Sequence, residues 1–497
     1  MGTFTSKMKF QLHLNNYPEK WNELFAAELG HKWPWLLDCY GRRSKAFVSP
    51  RRLRQPSGLG VNRASGCSVD HSSQPPYTTQ VLTLEDRMPE RENVDNVEDF
   101  KYVKWLRNHL KTVDAWPVHS KSKRKIQKRY VLPIFSAACF ISQTVYLKNG
   151  IGTLSFVVLV HSYICFLING SCLCRGILIA TERYKRLATC YLKTVHLFHH
   201  KNRSEHAMKI HVIVHRLSHY YTIYLISLVF VGMVLFNFMP IYNNINSGAF
   251  KSPRPENVTF QHAMYLALPF DYTTNIKGYF VVFILNWYIS LVTTSHFCTF
   301  DLFISLMIIH LWGHIKILMC SLEDIEGFVP GSSFKFTIEQ NRKIYLILQE
   351  CIRHHQFTID FTNEMSSTFG LVILFYYFFY QVSGCLLLLA CSQMDIESLS
   401  RFGPMTFILF QQLIQLSIVF ELISSLSENL PNAVYNVPWE FMDKNNRKMI
   451  QVLLLQSQKL IQFKATSMMN VGVQAMATIL KTSVSYFIML RTMYQEH

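Results

Sequence analysis

Seven long apolar blocks, each with at most one Lys, Arg, His, Asp or Glu, constrain this chain more than any other feature. A block of about 18 or more such residues is long enough to cross the hydrocarbon core of a bilayer. The backbone inside lipid must satisfy its own hydrogen bonds, so these blocks predict helices and an all-α, polytopic membrane protein. With their apolar continuations, the predicted spans are about 130–148, 151–180, 212–242, 278–315, 361–394, 402–427 and 465–494.

The motifs of soluble enzymes are missing from this sequence, which is 49% hydrophobic with a formal net charge of +17. It contains no catalytic carboxylate pair, nucleophile elbow or phosphate-binding loop. Cys172 and Cys174 are too closely spaced for a zinc site and lack a second pair. We therefore predict no enzyme activity, no cofactor, no metal and no nucleic-acid partner, but contact with membrane lipid.

The distribution of basic residues predicts the orientation, because Lys and Arg accumulate in cytoplasmic links. The segment 121–129 before the first span is strongly basic, as are the links after the second and sixth spans. The alternate links are poor in basic residues. This favours a cytoplasmic N-terminus and an extracellular C-terminus, opposite to a G-protein-coupled receptor. The third link is then outside, where Asn257 lies in a glycosylation sequon.

The region before the first span divides into two parts. Residues 1–95 are rich in Pro, Ser and Arg, and we predict disorder or an extension wrongly included in the sequence. Residues 96–129 are predicted to be a cytoplasmic amphipathic segment lying along the inner membrane face, because Phe100, Val103, Leu106 and Leu110 recur at helical spacing. Residues 130–494 form the predicted seven-helix domain.

Three apolar, helically periodic segments continue the spans into the cytoplasm, at 302–319, 344–357 and 448–464. A helix of roughly forty residues would extend some 25 to 30 Å beyond the bilayer. We expect these extensions of helices four to seven to pack together as an intracellular assembly domain.

Polar residues in the last span share one helical face, following steps of three or four. Such a face at membrane depth must border water or protein. It either lines a pore or is buried against other helices. Lys481 would repel permeating cations, so we predict that it pairs with Glu421 or Asp301 in a structural role. The face comprises Gln474, Thr478, Lys481, Ser485, Met489 and Met493.

Motifs near the C-terminus resemble those of insect odorant receptors. The similar stretches are Ala433–Trp439, Gln456–Lys459 and Leu480–Phe487, and the stretch Asp99–Pro117 resembles moth members of the family. The resemblance implies an odorant-gated, non-selective cation channel subunit that assembles as a heterotetramer with a shared co-receptor in the plasma membrane of an olfactory neuron dendrite. Trp439 and Tyr486 would be structural residues of the motif.

The resemblance also implies the positions of the gate and the ligand pocket. The pore would be lined by helix seven, with its gate at Met489 and Met493. A volatile hydrophobic ligand, such as a sex pheromone, would bind between helices two, three, four and six in the outer half of the bundle. The alternatives are a gustatory receptor of the same superfamily and a G-protein-coupled receptor. Candidate ligand contacts are Tyr163, Phe166, Phe236, Phe283, Trp287, Phe407 and Phe410.

Overall fold

The computed structural model describes residues 96–112, 115–117, 126–255, 258–326, 335–392, 396–466 and 469–495. These residues are helical or irregular and form no named strand, which confirms the predicted all-α fold. The predictions for residues 1–95 and for Asn257 lie outside the described residues. The helices are α1 (Lys101–Thr112), α2 (Ile126–Gly150), α3 (Phe156–Ile179), α4 (Glu182–Cys190), α5 (Glu205–Asn246), α6 (Ile276–Glu326), α7 (Ile338–Cys391), α8 (Ile396–Glu428), α9 (Leu430–Tyr435), α10 (Lys444–Ser457) and α11 (Val473–Gln495).

Five helices in the described part of the chain are long and apolar enough to cross a membrane. They are α3, α5, α6, α7 and α8, and they include most of each predicted span from the second to the sixth. The first and seventh predicted spans lie in α2 and α11, which are helical but are not among these five.

The helices α6 and α7 are far longer than a bilayer requires. With 51 and 54 residues they extend about 75 to 80 Å, against a hydrocarbon thickness of about 30 Å. In α6 the most apolar 18-residue stretch is 89% buried, so this helix is surrounded by others instead of by solvent. Both helices therefore continue beyond their predicted spans, as expected. The buried stretch of α6 lies at the centre of the fold.

The amphipathic helix α1 lies within the predicted segment 96–129 and packs against the helical domain. It ends at Thr112, before Pro117. Its apolar side chains Tyr102, Val103, Leu106 and Leu110 are buried. They belong to the main hydrophobic core, and α1 contacts α5 and α6. The apolar face of α1 thus covers protein in the described part of the chain, and its position relative to the membrane stays a prediction.

A buried cluster of histidines lies where α6 and α7 meet the segment before α5. The Tyr102 hydroxyl is 2.7 Å from His196 Nε2, and the rings of His196 and His310 are 4.1 Å apart. His314 and His354 share a hydrogen bond of 2.7 Å. Burial lowers the pKa of His196, so its neutral ring can both donate and accept. No group of three metal-binding side chains suited to a metal ion occurs in the part of the chain that the structure describes.

Candidate ligand cavity and pore helix

A small cavity lies between α3, α5 and α8, on the side that the charge distribution predicts to be extracellular. Its volume is about 20 Å³, which is room for one water molecule. A larger ligand would need the wall to move, and two of its side chains are methionines, which adapt easily to a new shape. The lining residues are His161, Gly232, Leu235, Phe236, Met239, Pro240, Arg401, Pro404, Met405 and Ile408.

The link between α5 and α6 folds over this end of the bundle and supplies backbone carbonyls. His161 Nε2 donates to the carbonyl of Ala263 at 2.7 Å. Arg401 Nη2 donates to the carbonyl of His262 at 3.1 Å. From α6, the Asn286 amide donates to Met264 in the same link. These bonds position His161 and Arg401 at one end of the cavity.

Arg401 is the most unusual residue of the cavity, because its side chain is only 3% exposed. Nε and Nη1 have no hydrogen-bond partner among the described residues, and no acidic side chain of those residues forms an ion pair with it. Burial and then the charge of Arg401 lower the pKa of His262 to about 4, so this neighbouring ring is neutral. The guanidinium is therefore the positive charge at this end of the cavity.

One predicted ligand contact, Phe236, lines the cavity. Phe166 stacks instead on Phe140 of α2 at 4.5 Å, and Phe410 packs near Gly384 of α7. Tyr163 and Phe407 are 37% and 67% exposed.

Phe283 and Trp287, the aromatic pair predicted in the fourth span, also lie apart from the cavity lining. They contact each other edge to face, with ring centroids 6.4 Å apart, and Trp287 contacts Phe238 of α5. The role of the predicted residues as ligand contacts stays a prediction.

The predicted list did not include the two polar residues of the cavity. His161 is the one ionisable residue of the second apolar block, and Arg401 directly precedes the sixth. An ionisable residue next to or within a span is a functional candidate by default. The sequence therefore contains a signal for both residues, whereas the apolar nature of volatile ligands points only to aromatic and aliphatic side chains.

The helix α11 has one buried and one exposed face. Met476, Ile479 and Ser483 face α7 and α8 and are buried. The predicted pore face is solvent-accessible in the single chain, and its members Gln474, Thr478, Lys481, Ser485 and Met489 are all exposed. The side chain of Met493 lies outside the described residues. Tyr486 and Trp439, predicted to be structural, are 49% and 40% exposed.

The acids expected to pair with Lys481 have other partners. Asp301 of α6 forms an ion pair with Arg175 of α3 at 3.1 Å. Glu421 of α8 accepts a hydrogen bond from the Val473 backbone N–H at 3.0 Å, where α11 begins. A carboxylate at a helix N-terminus is favourable because it faces the positive end of the helix dipole. The predicted pairing of Lys481 is therefore wrong.

Hydrogen bonds connect α11 to α7 in the middle of the bundle. Gln381 donates to the Ser483 hydroxyl at 3.2 Å and accepts from Thr482. One residue earlier in α7, Tyr380 bonds to Tyr376, whose hydroxyl donates to Asp301 at 2.9 Å. Two sets of polar contacts therefore meet at adjacent positions of α7: Tyr380 leads to α6 and α3, and Gln381 leads to α11.

Comparison with known proteins identifies the family. A family model described as 7tm Odorant receptor matches residues 155–484, which cover most of the helical domain. The chain belongs to this family. As an insect odorant receptor it is a multi-pass membrane protein and not an enzyme, and both predictions are confirmed.

Similar curated odorant receptors match over part of their length. Putative odorant receptor 85d of Drosophila melanogaster is 27% identical over 34% of this chain and 40% of its own length. Odorant receptor 67a of the same species is 28% identical over 30% of this chain and 37% of its own length. The matches therefore span about two fifths of these relatives.

Two solved structures share the fold. The olfactory receptor OR5 from Machilis hrabei aligns with a TM-score of 0.63 at 14% identity, covering 78% of this chain and 97% of that chain. The same receptor in complex with eugenol aligns with a TM-score of 0.61, also at 14% identity.

Proposed function

We propose that this odorant receptor is a subunit of an odorant-gated, non-selective cation channel in the plasma membrane of olfactory neuron dendrites. It assembles with the odorant receptor co-receptor as a heterotetramer. A volatile hydrophobic odorant, including fatty-acid-derived pheromones, binds in the outer part of the bundle and opens a pore lined by α11.

The exposed polar face of α11 carries this proposal. Gln474, Thr478 and Ser485 leave hydrogen-bonding groups exposed on a helix that packs against α7 and α8 with its other face. Such groups are costly in lipid, so the face requires water or another subunit. A central pore shared by four subunits supplies both. The polar link from α7 to α11 supports a mechanical connection between the bundle and the pore.

Expression in oocytes tests the assembly. We expect odorant-evoked cation currents when this chain and a co-receptor are expressed together, and no odorant-evoked current when this chain is expressed alone. A broad panel of odorants, including fatty-acid-derived pheromones, should be applied with the co-receptor alone as the control. Full currents without the partner would contradict the proposed assembly.

Cysteine substitution tests the position of the pore. Ser485→Cys places a thiol on the exposed face of α11, whereas Ile479→Cys places one on its buried face. We expect an externally applied, charged thiol reagent to reduce the odorant-evoked current of Ser485→Cys irreversibly. The current of Ile479→Cys and of the unsubstituted receptor, which has its own cysteines, should not change. Equal sensitivity of all three receptors would show that this face does not line the pore.

A further inference from the structure

We propose that the odorants of this receptor carry a carboxyl group, which binds between Arg401 and His161 while an apolar tail fills the rest of the cavity. This inference rests on the proposed function, since it names the ligand class of that receptor. The observation behind it is a buried arginine in a largely apolar cavity, with two donors that have no hydrogen-bond partner among the described residues.

The arginine is the first part of the argument. Arg401 uses Nη2 to bind the carbonyl of His262, while Nε and Nη1 lack a partner among the described residues. An uncompensated buried charge is strongly unfavourable. A ligand oxygen that accepts from this guanidinium removes part of that cost, and an anionic oxygen removes most of it because charge-assisted hydrogen bonds are the strongest.

His161 is the second part of the argument, because it offers a hydrogen-bond acceptor, whereas Arg401 offers only donors. Its Nε2 donates to the carbonyl of Ala263, so in the neutral ring Nδ1 is an acceptor, and Nδ1 is buried and unpaired among the described residues. A carboxyl group complements both residues: one oxygen accepts from Arg401, and the acid proton is shared with or transferred to Nδ1. A methyl ester has no proton for His161, and an alcohol brings no charge to Arg401.

The remaining wall suits an apolar tail. Leu235, Phe236, Met239, Met405 and Ile408 surround the polar end. The cavity volume of about 20 Å³ has room for about one water molecule, so the tail must displace side chains. The two methionines can change rotamer at little cost. The expected ligands are therefore aliphatic or aromatic carboxylic acids with flexible or narrow tails.

A matched ligand series tests the proposal on the intact receptor co-expressed with the co-receptor. At each chain length, the carboxylic acid, its methyl ester, the corresponding primary alcohol and the alkane are applied, and the half-maximal concentration is measured. We expect the best acid to act at a concentration about ten-fold or more below that of its ester, as is typical for a hydrogen bond to a charged group. Equal potency of acid and ester would overturn the proposal.

Substitution of Arg401 distinguishes recognition from a structural role. Arg401→Met should raise the half-maximal concentration of the acid by about 10- to 100-fold and change that of a neutral agonist little. Lys251→Gln removes an exposed positive charge from the same side and serves as the control. If Arg401→Met does not reach the cell surface, Arg401→Lys, which keeps the charge but not the guanidinium geometry, should weaken acids selectively.

The outcomes separate this inference from the proposed function. A receptor that opens with neutral odorants and ignores every acid contradicts the carboxyl site and leaves the channel proposal intact. If the Arg401 variants raise the half-maximal concentrations of all agonists equally, the arginine has a structural role and is solvated by water only. That result contradicts the carboxyl site. A receptor that responds to no odorant with a co-receptor contradicts the channel proposal itself.

Discussion

Asp301→Leu is expected to leave little folded receptor at the cell surface. The substitution removes the counter-ion of Arg175, whose guanidinium is fully buried and lies 3.9 Å above the ring of Phe297. It also removes the acceptor of the Tyr376 hydroxyl. Breaking a buried ion pair by removing one partner costs about 3–5 kcal/mol, which is a large part of the stability of a typical domain. Thermal unfolding of detergent-purified receptor, followed by size-exclusion chromatography, measures the loss.

A double substitution and an exposed ion pair provide the controls. Arg175→Met combined with Asp301→Leu should regain most of the folded protein, because two apolar side chains of similar size can replace a buried pair. Arg203 and Glu350 form an ion pair at 2.6 Å, but both side chains are about half exposed. Glu350→Gln should therefore cost no more than about 1 kcal/mol. Similar losses in Glu350→Gln and Asp301→Leu would show that burial does not determine the effect.

Gly370→Ala is expected to disturb the start of α11. A Cβ atom at this position of α7 would lie 2.5 Å from the carbonyl oxygen of Ala465 and 3.1 Å from that of Lys464. Both neighbours are backbone atoms of the segment that precedes α11, so the clash cannot be relieved by a side-chain rotation. Overpacking of this kind costs about 1–3 kcal/mol, and here it displaces the segment that leads into α11. We expect reduced surface expression and a reduced maximal odorant-evoked current per receptor at the surface.

Gly176→Ala is the matched control for this prediction. It is also a buried glycine inside a helix, but the nearest atom to an added Cβ is the Cγ of Pro133 at 3.4 Å, an ordinary van der Waals distance. Alanine favours a helix over glycine by about 1 kcal/mol, so this variant should be expressed normally. If Gly370→Ala expresses and conducts as well as Gly176→Ala, the close approach of α7 to residues 464 and 465 does not constrain α11.

Features that depend on local chain chemistry could be predicted from the residues alone. Apolar length predicts the helices, because a backbone in lipid must form its hydrogen bonds within its own segment. Spacing along α11 predicts one polar face, and the structure leaves Gln474, Thr478 and Ser485 together on its exposed side. The C-terminal motifs indicate the family that the comparison then shows.

The pairing of polar groups from distant parts of the chain could not be predicted and follows from the packing of the helices. Asp301 pairs with Arg175, and not with Lys481, although 126 positions separate the two partners. His196 and His310 come from different elements, and Arg401 shares a cavity with His161. A buried helix in a membrane bundle is apolar on nearly every face, so its periodicity does not reveal its rotation or its neighbours. Packing sets both, and thereby determines which charged groups are compensated within the bundle and which, like Arg401, have donors without a partner among the described residues.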